Sequence, residues 1–269
     1  MLGAFCMRKM GENMNCIKID LPKELTEIEI HTLADLHMGD KFCDYQEINR
    51  QIEAIKNTPN AYCILNGDLM NNATKTSISD SYAEQLTPMQ QIGQAVELLK
   101  PIRDKILSIQ SGNHEKRTYR KEGIDLTEIV ARELFLLDKY SRAGNLIFIR
   151  FGWNEMRKRK QWYSIYANHG SGGGRKEGAK AIRLADMASI VDADVYIHSH
   201  THLPMIMKQG FYRVDNINSS AKKVTKLFVN TSSTLAYGGY GEEYEYKPNS
   251  THTPIIYLNG RKKRADARL

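Results

Sequence analysis

The amino-acid sequence predicts an α/β fold in which a largely parallel sheet, covered by helices, packs against a second sheet. Short apolar runs alternate with longer amphipathic segments in the first half of the chain, and β-like runs dominate beyond Pro204. Residues with metal-ligating side chains directly follow several of the predicted strands. With 269 residues, of which 41% are hydrophobic and 26% charged, the chain can bury a substantial core.

Each element is predicted from the spacing of its apolar residues. Alternating or unbroken apolar runs predict strands at 27–34, 61–66, 106–110, 146–151, 161–167, 194–197, 226–230 and 254–258. Apolar residues at helical spacing predict helices at 45–57, 85–100, 124–140 and 176–191. Pro101 ends the second helix. The Gly/Tyr/Glu-rich segment 237–246 has few aliphatic residues and is expected to be an exposed loop.

The expected organisation is a leader over 1–20, a single domain over 21–260 and a basic tail over 261–269. The apolar patch near the N-terminus is too short and wrongly ordered for a secretory signal. No apolar stretch approaches the roughly 18 residues that a membrane span needs. The four cysteines form no Cys-x-x-Cys pair, which argues against a zinc knuckle and indicates a reducing cytoplasm.

The net charge of +7 favours anionic partners, including nucleic acid. Basic residues are concentrated at 117–121, 157–160 and 261–264. Solvated surface and a hairpin loop are the simpler explanation of these runs, so both interpretations remain open.

Six of the eight histidines fall in four short clusters, each at the end of a predicted strand. The clusters are Asp35-Leu36-His37, Gly112-Asn113-His114-Glu115, Asn168-His169-Gly170 and His198-Ser199-His200-Thr201-His202. A fifth cluster, Asn66-Gly67-Asp68, contains no histidine but also follows a strand. Because ligands bind beyond the carboxyl ends of strands in open α/β sheets, we expect all five clusters to meet at one rim.

The metal-ligating side chains of the five clusters are too many for one metal ion, and their number suits two. The mixture of carboxylate, amide and imidazole donors suits divalent transition metals, manganese first and iron, zinc, nickel or cobalt as alternatives. Two divalent ions carry four positive charges, and the carboxylates of Asp35 and Asp68 would offset two of them. The remaining positive charge would hold a phosphate and a bridging hydroxide. No Gly-x-Ser-x-Gly elbow supplies a side-chain nucleophile. The residues therefore predict a dinuclear hydrolase.

In order and rough spacing, the clusters resemble the calcineurin-like metallophosphoesterase superfamily. The resemblance rests on Asp35-x-His37, Gly67-Asp68, Gly112-Asn113-His114-Glu115, His169 and His200-x-His202. It implies a four-layer α/β/β/α sandwich with two packed mixed sheets. Ser199 departs from the family's usual Gly-His-x-His motif, but serine is small and little effect is expected.

The resemblance also implies a role for each matched residue. One ion would be bound by Asp35, His37 and His202. The other would be bound by Asn113, His169 and His200. Asp68 would bridge the two ions, and His114 would protonate the leaving group or stabilise the transition state. Glu115 would orient His114. His198, His31 and His252 lie outside the pattern and are expected to be structural or exposed.

The substrate is predicted from fewer residues. The segment 67–73 lacks the arginine of the Gly-Asp-x-x-Asp-Arg-Gly motif found in phosphoprotein phosphatases, although Asn72 could bind a phosphate oxygen. Arg117 and Arg175 are the other candidate substrate ligands, Arg175 in a glycine-rich loop that opens a helix. These residues favour a phosphodiesterase or nuclease acting on nucleotide or nucleic-acid phosphodiesters. The alternatives are a phosphomonoesterase on a small phosphorylated metabolite or nucleotide, a Ser/Thr phosphoprotein phosphatase, or a non-catalytic scaffold.

Overall fold

The computed structural model describes residues 14–75, 77, 81–82, 84–243, 245–248 and 250–269. The expected leader lies outside the described residues over 1–13. Its last part differs from the expectation, because Asn15–Asp20 forms a strand that pairs with the strand Asn145–Asn154. Within the expected basic tail, Ala265–Arg268 pairs antiparallel with Ile255–Asn259. Both terminal segments therefore contribute edge strands to the sheets.

The described strands are β1 (Asn15–Asp20), β2 (Glu27–Leu33), β3 (Ala61–Asn66), β4 (Ile106–Gln110), β5 (Tyr140–Ser141), β6 (Asn145–Asn154), β7 (Arg159–Asn168), β8 (Val195–His198), β9 (Met205–Asp215), β10 (Ser220–Asn230), β11 (Ile255–Asn259) and β12 (Ala265–Arg268). The described α-helices are α1 (Tyr45–Asn57), α2 (Pro88–Leu99), α3 (Glu115–Glu122), α4 (Leu126–Glu133), α5 (Glu177–Ile190) and α6 (Tyr240–Glu243). Short 3₁₀ turns occupy Lys100–Lys105 and Leu137–Lys139.

The strands form two sheets of mixed direction. The first has the order β12-β11-β2-β3-β4-β5, and β2 to β5 run parallel, as the strand–helix alternation predicts. The second has the order β1-β6-β7-β8-β10-β9. Here β6 and β7 form an antiparallel hairpin, while β8 runs parallel to both β7 and β10. The predicted pair of mixed sheets is confirmed.

Three apolar clusters define four layers. Helices α1, α2 and α4 pack on the outer face of the first sheet, with Ile48, Ile92 and Val130 among the buried contacts. Between the sheets lies a second cluster of buried aliphatic and aromatic side chains, which includes Ile30, Ile64, Ile147, Ile165 and Val229. Helix α5 covers the other face of the second sheet with Leu184 and Met187. The observed α/β/β/α order confirms the predicted fold class.

Side-chain caps fix where two helices begin. The carboxylate of Asp44 accepts a hydrogen bond from the Glu47 amide at 3.0 Å before α1. The predicted helix at 85–100 begins later, at Pro88, because Thr87 and Gln90 form a capping box.

The predicted long helix at 124–140 is wrong. Asp125 caps the shorter helix α4, and its carboxylate also accepts a hydrogen bond of 2.5 Å from the Tyr140 hydroxyl. The chain leaves the helix at Phe135, where φ is +60°, and Tyr140 then enters β5. A tertiary contact therefore overrides the helical spacing of the apolar residues. Within the described part of the chain, no helix is both long and apolar enough to cross a membrane.

We expect Ile165→Ala to lower the free energy of unfolding by about 2–5 kcal/mol, because it leaves a cavity between the sheets. Ile165 is completely buried there. The matched control is Ile217→Ala, whose side chain is 93% exposed and should change stability by less than about 0.5 kcal/mol. Urea unfolding measures both. Equal effects of the two substitutions would contradict the assigned core.

Candidate metal centre

Loops that follow the carboxyl ends of five strands meet at one edge of the sandwich. The loops after β2 and β3 are joined by the Asp35 amide, which donates to the Gly67 carbonyl at 3.0 Å. The loop after β8 joins them through the His200 amide, which donates to Oδ2 of Asp35 at 3.0 Å. Across the sheets, the side-chain amide of Asn66 donates to the backbone carbonyl of Asn168 at 3.1 Å. The structure thus brings the five sequence clusters together.

Several of these residues adopt the left-handed backbone conformation. Their φ angles are +52° at Asp35, +50° at His37, +50° at Asp68, +65° at His200 and +55° at His202. Each non-glycine residue held there costs about 1–3 kcal/mol, so the surrounding structure must enforce the conformation. Such strain is concentrated at functional sites, and here it falls on the candidate ligands.

The first group of candidate ligands consists of Asp35, His37 and His202. Nε2 of His202 lies 3.1 Å from Oδ1 of Asp35 and 3.4 Å from Nε2 of His37. Burial, together with the neighbouring His114, holds the pKa of His37 well below its ordinary value, so its imidazole is neutral. A neutral imidazole facing a carboxylate and a second imidazole is a suitable arrangement for a divalent transition metal.

The second group contains Asp68, His169 and His200. Nε2 of His169 lies 3.3 Å from Oδ2 of Asp68 and 3.0 Å from Oδ1 of Asn113. The other ring nitrogen of His169 bonds the Asn66 carbonyl at 2.8 Å, which directs Nε2 into the cluster. Although burial lowers it, the Asp68 carboxylate raises the pKa of His169 to about 9, so a cation would compete with a proton for this nitrogen.

Asp68 lies between the two groups, since it also clusters with His37 and His114. Its Oδ1 accepts from the His114 amide at 2.9 Å, and its Oδ2 faces His169. Burial alone would raise the pKa of this carboxyl, but His169 and His114 outweigh it and the pKa falls well below its ordinary value. An ionised carboxylate in contact with both groups can bridge two cations. The donors present therefore fit a dinuclear centre.

The ring of His114 is held by the Asn71 carbonyl, whose oxygen lies 2.6 Å from Nδ1. Because a carbonyl only accepts, Nδ1 carries the proton. Nη2 of Arg117 lies 3.0 Å from Nε2 of His114, and a guanidinium only donates, so Nε2 presents its lone pair. Burial and Arg117 lower the pKa of His114 although Asp68 raises it. The ring is therefore neutral and must gain a proton before it can act as an acid.

Glu115 differs from its expected role of orienting His114. Its Oε2 accepts from the amides of Asp68 at 3.1 Å and Gly112 at 2.9 Å, and its Oε1 accepts from the Met70 amide at 3.0 Å. Burial, followed by the nearby Asp68, raises the pKa of Glu115 to about 7. Glu115 thus fixes the backbone on which Asp68 and His114 are mounted, and the ring is oriented by Asn71.

A cavity of about 440 Å³ opens above the candidate ligands. Its floor includes Asp68 and His114, and Arg117 lines it as expected. The walls come from the glycines of the loop after β7, from Lys41 and Phe42, and from the segment 233–247. That last segment includes the loop expected over 237–246, whose described residues are exposed or half-buried, and several of them, among them Tyr237 and Tyr246, also line the cavity.

Two expected substrate ligands do not line the cavity. The side-chain amide of Asn72 donates to the His114 carbonyl at 2.7 Å, and its oxygen accepts from the Thr118 hydroxyl at 3.0 Å. Asn72 is completely buried, so its role is to hold His114. Arg175 is exposed, and its guanidinium lies 5.6 Å from the centre of the Tyr246 ring. On α5, Lys180 takes the position in the wall that was expected of Arg175.

Two further features of the site were missed at the sequence level. The Ser233 hydroxyl and the Thr234 amide both donate to the Asp35 carbonyl, at 2.8 and 3.2 Å, and so hold the first ligand loop. The run of polar residues after β10 could have indicated these two residues at the sequence level, because it begins where a strand ends, as the ligand clusters do. The role of the Asn71 carbonyl could not be predicted from the sequence, since every residue has a backbone carbonyl. His198, as expected, is structural: its Nδ1 lies 2.8 Å from Oδ1 of Asn230.

We expect Gly112→Ala to reduce the number of metal ions bound per chain below two. A Cβ at Gly112 would overlap the Asp68 carboxylate and lie 2.7 Å from its Cγ, which displaces the proposed bridge. Gly93→Ala is the matched control, because a Cβ there meets no atom within 4 Å. Elemental analysis after dialysis against manganese measures the stoichiometry. Two ions per chain in the Gly112 variant would contradict the assignment of Asp68.

Comparison with solved structures finds several distant similarities. Among solved structures, the chain is similar to a predicted phosphoesterase from Streptococcus pneumoniae, with 13% identity, a TM-score of 0.37 and coverage of 90% of both chains. A variant of Vps29 from Entamoeba histolytica shows 13% identity and a TM-score of 0.41 over 90% of this chain and 97% of that one. A metallophosphoesterase from Sphaerobacter thermophilus shows 12% identity and a TM-score of 0.36 over 88% and 90%.

No curated protein matches the chain significantly. The family model of the calcineurin-like phosphoesterases, in contrast, matches residues 28–204. This range includes every candidate metal ligand from Asp35 to His202 and more than half of the 269 residues. The chain therefore belongs to the calcineurin-like phosphoesterase family and is a phosphoester hydrolase.

Proposed function

We propose that the protein is a dinuclear metal-dependent phosphodiesterase that hydrolyses phosphodiesters of nucleotides or nucleic acids. The observation that carries the proposal is the pair formed by His114 and Arg117, with 3.0 Å between Nε2 and Nη2, beside Asp68 on the cavity floor. A cation that can grip phosphate and a group that can protonate a leaving oxygen are thus adjacent to the candidate metal ligands.

Within this proposal the two metals have separate ligand sets. One ion would be held by Asp35, His37 and His202. The other would be held by Asn113, His169 and His200, and the Asp68 carboxylate would be shared by both. Mixed oxygen and nitrogen donors suit divalent transition metals, of which manganese is the first candidate to test. Two bound ions would offset the charge of the phosphate and lower the pKa of an attacking water.

Arg117 and His114 act on different oxygens of the substrate in the proposed reaction. Arg117 has a guanidinium that can donate to the non-bridging phosphate oxygens, in place of its present bond to His114. Released from Arg117 and protonated, Nε2 of His114 donates to the leaving oxygen while Nδ1 stays bonded to Asn71. An alkoxide leaving group, such as a sugar hydroxyl of a nucleotide, depends on this proton more than an acidic phenol does.

The cavity walls support a diester over a smaller substrate. Phe42 and Tyr237 line the cavity beside Lys41, Lys180 and Lys247. Aromatic faces can stack a nucleobase, and the lysines can pair with a phosphate backbone. The volume of about 440 Å³ leaves room for a group on each side of the phosphate. The net charge of +7 also favours an anionic substrate.

The second candidate is a phosphomonoesterase acting on a small metabolite or nucleotide. It is favoured by the two cations that line the cavity near the ligands, Arg117 and Lys180, because a monoester dianion carries more charge than a diester. A cytoplasmic location is part of the proposal and rests on the cysteine spacing.

A substrate panel with added manganese tests the proposal. It compares an aryl phosphodiester, an aryl phosphomonoester, cyclic nucleotides, single- and double-stranded DNA, and a phosphopeptide. We expect turnover of the aryl diester and of at least one nucleotide or nucleic-acid diester. Turnover confined to monoesters would replace the proposal with the second candidate, and turnover of the phosphopeptide alone would indicate a protein phosphatase. No turnover and no bound metal would leave a scaffold.

We expect His114→Ala to keep the fold and two metal ions but to lose turnover by about a hundredfold or more. The loss follows from removing the group that faces the leaving oxygen, while the ring is not needed for the other ligands. His252→Ala, in an exposed late loop, is the control and should be unaffected. Steady-state kinetics with metal analysis measures both. Wild-type turnover by the His114 variant would refute the role assigned to this ring.

A further inference from the structure

Gln91 is a completely buried amide in α2, on the outer face of the first sheet. Within the helix it lies next to Ile92, which belongs to the apolar core. A polar side chain in this position costs free energy unless each of its polar atoms is hydrogen-bonded. Gln91 does not line the cavity, and it lies outside the sequence motifs that resemble the family.

The side-chain hydrogen bonds of Gln91 reach Asn72 and the segment 84–86. Its Oε1 accepts from the Asn72 amide at 2.9 Å. Its Nε2 donates to the Leu86 carbonyl at 2.8 Å and to the Glu84 carboxylate. The other carboxylate oxygen of Glu84 accepts from the side-chain amide of Asn71 at 2.5 Å. Gln91 therefore restrains Asn72 directly, through the backbone amide of Asn72. It restrains Asn71 indirectly, through the carboxylate of Glu84.

Those two asparagines are the residues that hold His114. The Asn71 carbonyl bonds Nδ1 of the ring at 2.6 Å, and the Asn72 side chain bonds the His114 carbonyl at 2.7 Å. Asn72 has a φ of +44°, which an unsupported asparagine adopts only at a cost. The hydrogen bond from its amide to Gln91 stabilises that conformation, and the conformation in turn aims the preceding carbonyl at the ring.

The close packing of Gly39 against Gln91 is a second observation that the Gln91 side chain occupies a defined position. Its φ is +101°, and a Cβ there would lie 2.5 Å from Cδ of Gln91. The chain after the first ligand cluster thus leaves space for this amide. A side chain that only filled the core would not require hydrogen bonds to the loop that carries Asn71 and Asn72.

We infer that Gln91 is a positioning residue, which holds the Asn71 carbonyl against Nδ1 of His114 and so sets the tautomer and direction of the ring. This inference rests on the proposed function of His114. Gln91 touches no reacting atom. Its effect is to keep Nε2, and not Nδ1, directed at the leaving oxygen.

The test uses Gln91→Met, which keeps the length of the side chain and loses its hydrogen bonds, and Gln91→Leu as a second variant. Gln94→Leu is the matched control on the same helix. Gln94 accepts from the Tyr45 hydroxyl at 2.8 Å and forms no hydrogen bond with Asn71 or Asn72. Thermal unfolding and metal stoichiometry establish that each variant is folded and loaded.

Kinetics with two aryl diesters separates positioning from a general loss of structure. Diphenyl phosphate has a poorer leaving group than bis(p-nitrophenyl) phosphate and depends more on the proton from His114. We expect kcat for diphenyl phosphate to fall about tenfold or more in the Gln91 variants. On the nitrophenyl ester the fall should be less than about threefold, and in a His114→Ala background the Gln91 substitution should add no further loss.

A readout independent of activity is the ¹⁵N spectrum of the His114 ring in metal-free protein, assigned by comparison with His114→Ala. We expect a single Nδ1–H tautomer in wild type and in Gln94→Leu, and a mixture in Gln91→Met. A single tautomer in Gln91→Met, or equal losses on the two esters, would overturn the inference. If wild type turns over neither ester, the proposed function fails, and the tautomer still decides the role of Gln91.

Discussion

The site depends on one buried carboxylate, that of Asp68. It is 1% exposed, and an ionised group in such a position is stable only when opposite charge and hydrogen-bond donors surround it. The donors are the His114 amide and the ring of His169. Because Asp35 is equally buried nearby, two negative charges share a small volume. Divalent cations between the histidines would relieve this repulsion, and the donors therefore fit a dinuclear centre better than a simple ion-pair network.

The Asp68 carboxylate is carried by a residue in the left-handed backbone conformation. Buried side chains of the surrounding fold hold this backbone in place. Glu115 binds the amides on either side of Leu69 and so fixes the turn that carries Asp68. Gln91 continues the restraint to Asn72, and Ser233 holds Asp35 from the opposite side. Each of these side chains is buried and polar, and each bonds backbone groups of a ligand loop. The strained ligand loops are thus held by buried side chains that are not themselves candidate ligands: Glu115 and Gln91 outside the cavity, and Ser233 in its wall.

The sequence predicts the parts of this structure whose signal is local. Strands 61–66 and 106–110 match the observed β3 and β4 to the residue, because unbroken apolar runs end sharply at polar residues. The ligands were visible because their chemistry is in the side chain. The helix at 124–140 failed because Tyr140 bonds Asp125 across the chain, and Asn72 was misassigned because its partners lie at Thr118 and His114. Contacts of this kind depend on tertiary distance, which residue spacing does not encode.

The floor and the walls of the cavity have different origins in the chain. All candidate ligands lie within residues 28–204, which the family model matches, whereas the wall segment 233–247 lies beyond that range. In this segment Gly238 and Gly239 leave space for the ring of Phe42, since a Cβ at either would overlap it. The wall is joined to the floor by the hydrogen bonds from Ser233 and Thr234 to the Asp35 carbonyl. The candidate ligands therefore lie in the part that the family model matches, and the wall segment beyond it is joined to the loop of Asp35 by these hydrogen bonds.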